Sequence, residues 1–255
     1  MKTFRLTLSQ VRYVNKAFWR NPAQAFFIFA FPLMFLVIFS ALLGNGTVDI
    51  GARAVKESSY YVAAMAAFGL ITACFNNIAI GMTFQRESGV LKRINGTPLP
   101  SAAFLGARII HSLLMGAVLV AITAAFGRVV YSVSLPTGTS LLEFVVMLAV
   151  GAAAFCALGL ALTAIIPNAD SAGAMVNAAI LPLLFLSGIF IAFGNHTPSW
   201  ILWVARIFPV RHFATALQAG FLGTPFHWSD VAVVGAWGIA GLLVAVRFFR
   251  WEPRT

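Results

Sequence analysis

His111 and a few amides and hydroxyls, Thr72, Asn76, Asn77 and Asn177, are polar side chains set inside otherwise apolar runs. Each needs a hydrogen-bond partner in a dry surrounding, so each either glues two helices together or lines a path for a solute. His111 sits roughly midway through its run and reads either as a neutral imidazole bonded across helices or as a contact for substrate or proton. The other histidines, His196, His212 and His227, are 16 and 15 residues apart, spacings that make no metal motif. No H-E-x-x-H, no paired carboxylates within an apolar run and no Ser or Cys sharing a face with a His is found, so the chain is not expected to be an enzyme. Cys74 and Cys156 lie in apolar runs and read as packing residues, with neither a disulfide framework nor a zinc site to serve. There is no G-x-x-x-x-G-K-[ST], so a partner must cradle any nucleotide phosphates. No Asp, Glu, Lys or Arg lies near the middle of an apolar run, which disfavours an ion-coupled carrier. The N-x-T triplets at Asn45, Asn95 and Asn195 are chance-level patterns.

The elements that position these residues follow from composition. Of 255 residues, 60% are hydrophobic and 9% charged, with 24 Phe and a mean hydropathy of +0.91. So few charges cannot cover a water-facing surface, and the bilayer becomes the solvent. Six apolar runs are long enough to cross a hydrocarbon core of about 30 Å, near 24–43, 61–84, 103–127, 142–165, 172–193 and 229–248. The net charge of +10 points to anionic lipid headgroups and to membrane orientation rather than to nucleic acid. Lys2, Arg5, Arg12, Lys16, Arg20, Arg86, Lys92, Arg93, Arg108, Arg247, Arg250 and Arg254 fall on one side of a six-span arrangement, which predicts both termini in the cytoplasm.

Three segments are neither span nor simple loop. Phe4, Leu8, Val11, Val14 and Phe18 recur at helical spacing beside Arg5, Arg12, Lys16 and Arg20, predicting an in-plane interfacial helix over 1–22 that Asn21-Pro22 turns into span one. Residues 84–100 carry both charge signs and one apolar edge, Val90, Leu91 and Ile94, before the stop at Asn95-Gly96 and Pro98. A short helix tethered to two spans in this way suits docking into a protein cleft, or else is a solvated connector. Residues 194–228 form two amphipathic helices parted at Pro209, with Trp200, Trp203, Phe208 and Phe213 too apolar for open water. They predict an interfacial or re-entrant hairpin on the outer side, with Arg206, Arg211 and His212 at headgroup level. Ala149, Ala153, Ala157 and Ala161 mark a small-residue stripe for close helix packing in span four, and Pro32 and Pro182 can kink spans one and five.

Together these pieces resemble a permease subunit of the type-2 ABC exporter family, in the daunorubicin and multidrug export branch. The resemblance rests on the amphipathic start, the six spans, Arg86-Glu87-Ser88-Gly89-Val90-Leu91-Lys92-Arg93 ending in Gly96-Thr97-Pro98, Phe185-Leu186-Ser187-Gly188-Ile189-Phe190, and Pro198-Ser199-Trp200 leading to Phe208-Pro209-Val210-Arg211-His212. It covers the whole length and departs at Ala192-Phe193, where the family often has proline. It implies an all-α integral membrane protein forming one permease domain over 1–255: interfacial helix 1–22, spans one to five over 24–193, coupling helix 86–94, re-entrant outer hairpin 198–222 and span six 229–248. By the same resemblance Arg86, Glu87, Gly89, Leu91 and Arg93 would meet a separate ABC ATPase subunit that carries ATP and Mg, while this chain binds no cofactor or metal. Thr72, Asn76, Asn77, His111, Asn177 and Ser187 become candidates for the translocation path, and Trp200, Trp203, Phe208, Pro209, Arg211 and His212 form the outer hairpin. The implied activity is export of a lipophilic or amphipathic molecule, drug or lipid-like, across the cell membrane, with a second permease copy, identical or related, completing the path among membrane lipids. A polysaccharide or lipid-linked glycan exporter, or a non-catalytic membrane anchor or scaffold, are the alternatives.

Overall fold

The structure, a computed structural model, describes residues 2–43, 46–50, 53–193, 197–249 and 251–252. Asn45, Asn195, His196, Arg250 and Arg254 lie outside the described residues.

Among the described residues the fold is all-α apart from one small hairpin. Helix α1 (Lys2–Trp19) is followed by α2 (Pro22–Leu43), whose first turn is fixed by proline at its first position and by the Gln24 N–H donating to Asn21 Oδ1 at 3.3 Å. Strands β1 (Thr47–Ile50) and β2 (Arg53–Lys56) pair antiparallel with Val48 opposite Val55. The next span is built from α3 (Glu57–Ile71), a π-helical turn (Thr72–Asn76) and α4 (Asn77–Glu87), continuous over 31 residues. Then come α5 (Val90–Asn95), α6 (Ser101–Tyr131), α7 (Thr139–Leu162), α8 (Ala169–Phe185), α9 (Ser199–Ile207), α10 (Pro209–Leu222) and α11 (Trp228–Phe248).

Helix α3 is the axis. Tyr60 to Phe68, Leu70 and Ile71 are buried around its whole circumference, as expected of a helix enclosed by others rather than lying at a surface. It packs on α2, α6, α7 and α10, while α11 lies along α7. The α7–α11 seam is closed by glycines: a Cβ on Gly238 would come within 2.8 Å of Ala154 Cβ, and one on Gly241 within 3.0 Å of the Leu158 backbone nitrogen. The face used is thus that of Ala154, Ala157 and Leu158, while Gly151 makes room for Phe213 of α10. In the predicted alanine stripe Ala157 is buried against Gly241 while Ala149 and Ala153 are exposed, so the stripe meets the seam only in part. Phe26, Phe27 and Leu42 on α2 and Ile239, Leu243 and Val246 on α11 point outward, the apolar exterior that lipid requires.

Among the described residues five helical stretches are long and apolar enough to cross a membrane: α2, α3 through α4, α6, α7 and α11. The fifth predicted span, 172–193, is helical only to Phe185, and α8 has 17 residues, about 26 Å against a core of about 30 Å. The stop has a local cause. The Ser187 hydroxyl donates back to the Leu184 carbonyl at 2.7 Å, Gly188 takes φ +83°, and its carbonyl accepts the buried Tyr60 hydroxyl from α3.

The two ends of the bundle are distinct. The ends of α4 and α7 meet at one of them, where Lys92 on α5 pairs with Glu252 at 3.6 Å and Trp251 stands 6.2 Å from Phe104 near the start of α6. The β-hairpin, α9 and α10 occupy the other.

Candidate functional site

Between α1, α2, α4, α6 and α8, towards the α5 end, lies a cavity of about 970 Å³. The π-helical turn shapes it. Widening the helix by one residue per turn at Thr72–Asn76 brings Thr72, Asn76 and Asn77 onto the cavity wall while Ala73, Cys74 and Phe75 remain in the core. His111 reaches the same wall from α6 and Asn177 from α8. Five of the six path candidates are thereby brought together, although they are up to 105 positions apart in the sequence. Ser187 is not among them: it is buried at the end of α8, holding the last turn.

The polar groups of the wall differ in what they already hold. Gln24 Nε2 donates to Asn77 Oδ1 at 3.0 Å, tying α2 to α4, and Asn21 donates to Gln24 at 3.4 Å. Thr72 spends its hydroxyl on the Gly69 carbonyl of its own helix at 2.9 Å. Asn76 Oδ1, His111 Nε2 and Arg108 Nε are buried with no hydrogen-bond partner. With α6 starting at Ser101, His111 stands in its first third rather than at its middle, its ring 5.3 Å from that of Phe18 on α1. The rest of the lining is largely apolar and includes Phe27, Phe31, Phe68, Ile180 and Leu184. Gln24 and Arg108 are cavity residues that sequence reading missed. Arg108 counted there only as an orienting charge, and Gln24 was hidden by the apolar run it opens.

The α5 end gives the charged segment a different geometry from a single helix over 86–94. Gly89 takes φ +70° and breaks it, leaving Arg86 and Glu87 at the end of α4 and Leu91 and Arg93 on α5. Arg86 is 3% exposed and turns inward, donating to the carbonyls of Thr163 at 2.8 Å, Ile166 at 2.6 Å and Pro167 at 3.4 Å. These acceptors follow the end of α7, where carbonyls lack helical partners and a cation is favoured. Glu87 accepts the Ala169 N–H at the start of α8, beside the Asn168 side chain that accepts the Ser171 N–H at 2.9 Å. Two adjacent opposite charges thus fasten the α7–α8 turn to α4. Leu91 is fully buried and anchors α5, while Lys92 and Arg93 remain exposed.

At the opposite end, Trp200 and Trp203 on α9 are 62% and 69% exposed, and α10 is buried against α3, α7 and α11. Pro209 at the first position of α10 parts the two helices, and the Phe208 ring stacks on Trp237 at 5.9 Å. The His212 ring bridges the Arg206 carbonyl at 2.9 Å and Asp230 on α11 at 2.6 Å. Arg211 lies over the Phe193 ring at 4.8 Å. Asp230, as the acidic partner of His212, is a third residue that sequence reading did not single out.

This is a membrane bundle with a lateral cavity and a charged helical tie at one end, and it matches a described family: the ABC-2 type transporter description fits residues 6–222. The chain belongs to the ABC-2 type transporter family, as a transport permease. It is similar to the protein named "Putative transport permease ycf38" of Porphyra purpurea, 24% identical over 224 residues that cover 86% of this chain and 75% of the relative. It is also similar to "Putative transport permease YvfS" of Bacillus subtilis (strain 168), 20% identical over 226 residues covering 89% of each.

Proposed function

We propose that the chain is the membrane subunit of an ATP-driven exporter that moves a lipophilic or amphipathic molecule, drug or lipid-like, out of the cytoplasm or inner leaflet of the cell membrane. The observation that carries this reading is the cavity of about 970 Å³ whose lining combines amides and one histidine with several phenylalanines. In this reading α8 serves as the fifth of six spans, both termini are cytoplasmic, and α9 with α10 is a re-entrant outer hairpin. A second permease copy, identical or related, completes the path. ATP and Mg stay on a separate ATPase subunit docked at the α5 end.

The mechanism is mechanical. Closure of the ATPase on ATP pushes on the exposed side of α5, where Lys92 and Arg93 stand. Leu91 passes the push into the core, and Arg86 and Glu87 move the α7–α8 turn with α4, so two walls of the cavity shift together. The bias comes from the different affinity of the ATPase for ATP in the two states, and no residue of this chain need be catalytic.

The test is co-expression with an ATPase encoded by a neighbouring gene. Stable co-purification with substrate-stimulated ATP hydrolysis is the expected result, and failure of every such ATPase to associate leaves only an anchor or scaffold role. Arg93→Glu should lower ATPase association at least tenfold while membrane insertion is unchanged; wild-type association in that variant removes α5 as the docking element.

A further inference from the structure

The cavity wall holds a cation that no acid in it balances. Arg108 stands two turns into α6, donates Nη2–H to Gln85 at 2.6 Å and lies over the Phe104 ring at 5.4 Å. Its Nε–H is buried without a partner, and among the described residues no carboxylate lines the cavity or pairs with it. Three residues on, on the same face of α6, His111 is 2% exposed and its Nε2 is also unpartnered. Asn76 Oδ1, across from α6, is the third buried polar atom of this wall that has nothing to bind. A guanidinium in such a place costs free energy unless an anion joins it, and a buried imidazole nitrogen needs a hydrogen-bonding mate. Beyond these groups the wall is apolar through Phe27, Phe31, Phe68 and Leu184, a surface suited to a chain of methylenes and unable to bind a small hydrated ion.

We propose that the cavity binds an anionic amphiphile, its phosphate or carboxylate oxygens held by Arg108 and His111 and its hydrocarbon tail laid along Phe27, Phe31, Phe68 and Leu184. Asn76 Oδ1 accepts a hydroxyl next to the acidic head. The inference deepens the export reading by naming the class of substrate, and rests on that reading for the direction in which the ligand leaves. Binding itself requires no ATPase.

The experiment uses the full chain in nanodiscs of zwitterionic lipid and measures equilibrium binding of three probes: oleoyl lysophosphatidate, oleoyl lysophosphatidylcholine and inorganic phosphate. The expected result is at least a tenfold preference for lysophosphatidate over lysophosphatidylcholine, with millimolar inorganic phosphate unable to displace it. Arg108→Gln should erase the preference, Arg108→Lys should keep most of it, His111→Phe should weaken it several-fold while retaining the packing on Phe18, and Arg12→Gln, exposed on α1, should leave it unchanged. Equal affinity for the two lipids, or an undiminished preference in Arg108→Gln, overturns the proposal. Displacement by inorganic phosphate overturns the amphiphile and leaves a free-anion site. If Arg108→Gln does not insert, the comparison of the two lipids on the unaltered chain still decides. A chain that binds lysophosphatidate while its co-purified ATPase is indifferent to it upholds the site and counts against export alone.

Discussion

Arg86 shows how one side chain can govern the relation between two helices it does not belong to. Its two Nη groups satisfy carbonyls at 2.8 and 2.6 Å that the end of α7 would otherwise leave buried and unpaired. Hydrogen bonds to a charged group contribute about 1.5 to 3 kcal/mol each, and orphaned buried acceptors cost more than the bonds themselves. Arg86→Gln should therefore lower stability by about 2 to 4 kcal/mol, read as a fall in the midpoint of heat-induced aggregation in mild detergent. Glu87→Gln, on an exposed side chain that ends α4 and accepts the first N–H of α8, should cost about 0.5 to 1 kcal/mol. Equal midpoints for the two variants would remove the asymmetry assigned to them. The sequence displayed both residues as charges in a short loop, and loop charges normally face water, so their inward turn was not legible. What decides it is the position of α7's last turn, 77 residues away along the chain. Arg108 was obscured in the same way. Counted towards orientation it was one charge among twelve, and a count of charges carries no information about which of them meets a carboxylate.

At the scale of elements, hydropathy located every long helix, because the length of an apolar run against the thickness of a bilayer is one-dimensional information. The π-helical turn and the early stop of α8 needed more. The first depends on how α3 and α4 pack on their neighbours, and the second on Tyr60 reaching the Gly188 carbonyl across 128 positions. The small-residue seam was legible as a requirement and only in part as a location: alanines recur every fourth residue on α7 and Ala157 meets Gly241, but Ala149 and Ala153 face outward and the seam is set by Gly238 and Gly241 on α11. Substitutions distinguish the two seams. Gly238→Leu drives side-chain atoms into the Ala154 backbone, whose Cα lies 2.9 Å from the first added carbon, and relief requires the helices to separate. A loss of about 1 to 3 kcal/mol or more is expected, seen as reduced yield of folded protein and a lower aggregation midpoint. Gly235→Ala, with its nearest contact at 4.0 Å, should behave as wild type, and so should Ala153→Leu, which projects from the exposed face. A larger defect in Ala153→Leu than in Gly238→Leu would restore the alanine stripe as the seam.

For the molecule as a whole, the asymmetry between its ends ties the cavity to a direction. The chain's first helix, α5 and the Trp251-Glu252 segment gather at one end, and the cavity wall includes Val14 and Phe18 of α1 and Val90 of α5, so the void is fed from that end. Basic residues concentrate there, with Arg93 and Lys92 exposed, whereas the other end presents exposed tryptophans on α9. In the proposed orientation, with Lys and Arg retained on the cytoplasmic side, the cavity mouth would lie next to the cytoplasm and inner leaflet and the aromatic α9 at the outer interface. Thiol labelling reads this directly, because the native Cys74 and Cys156 are both buried and leave little background. In intact cells a membrane-impermeant maleimide should modify Trp203→Cys and spare Arg93→Cys, and in inverted vesicles the two should exchange. Labelling of Arg93→Cys from outside would turn the bundle over, and with it the cavity would open to the exterior. An ATPase could then no longer reach α5, so the same result would undo coupling and export together, while the binding of an anionic amphiphile, measured in nanodiscs open on both faces, would stand or fall on its own.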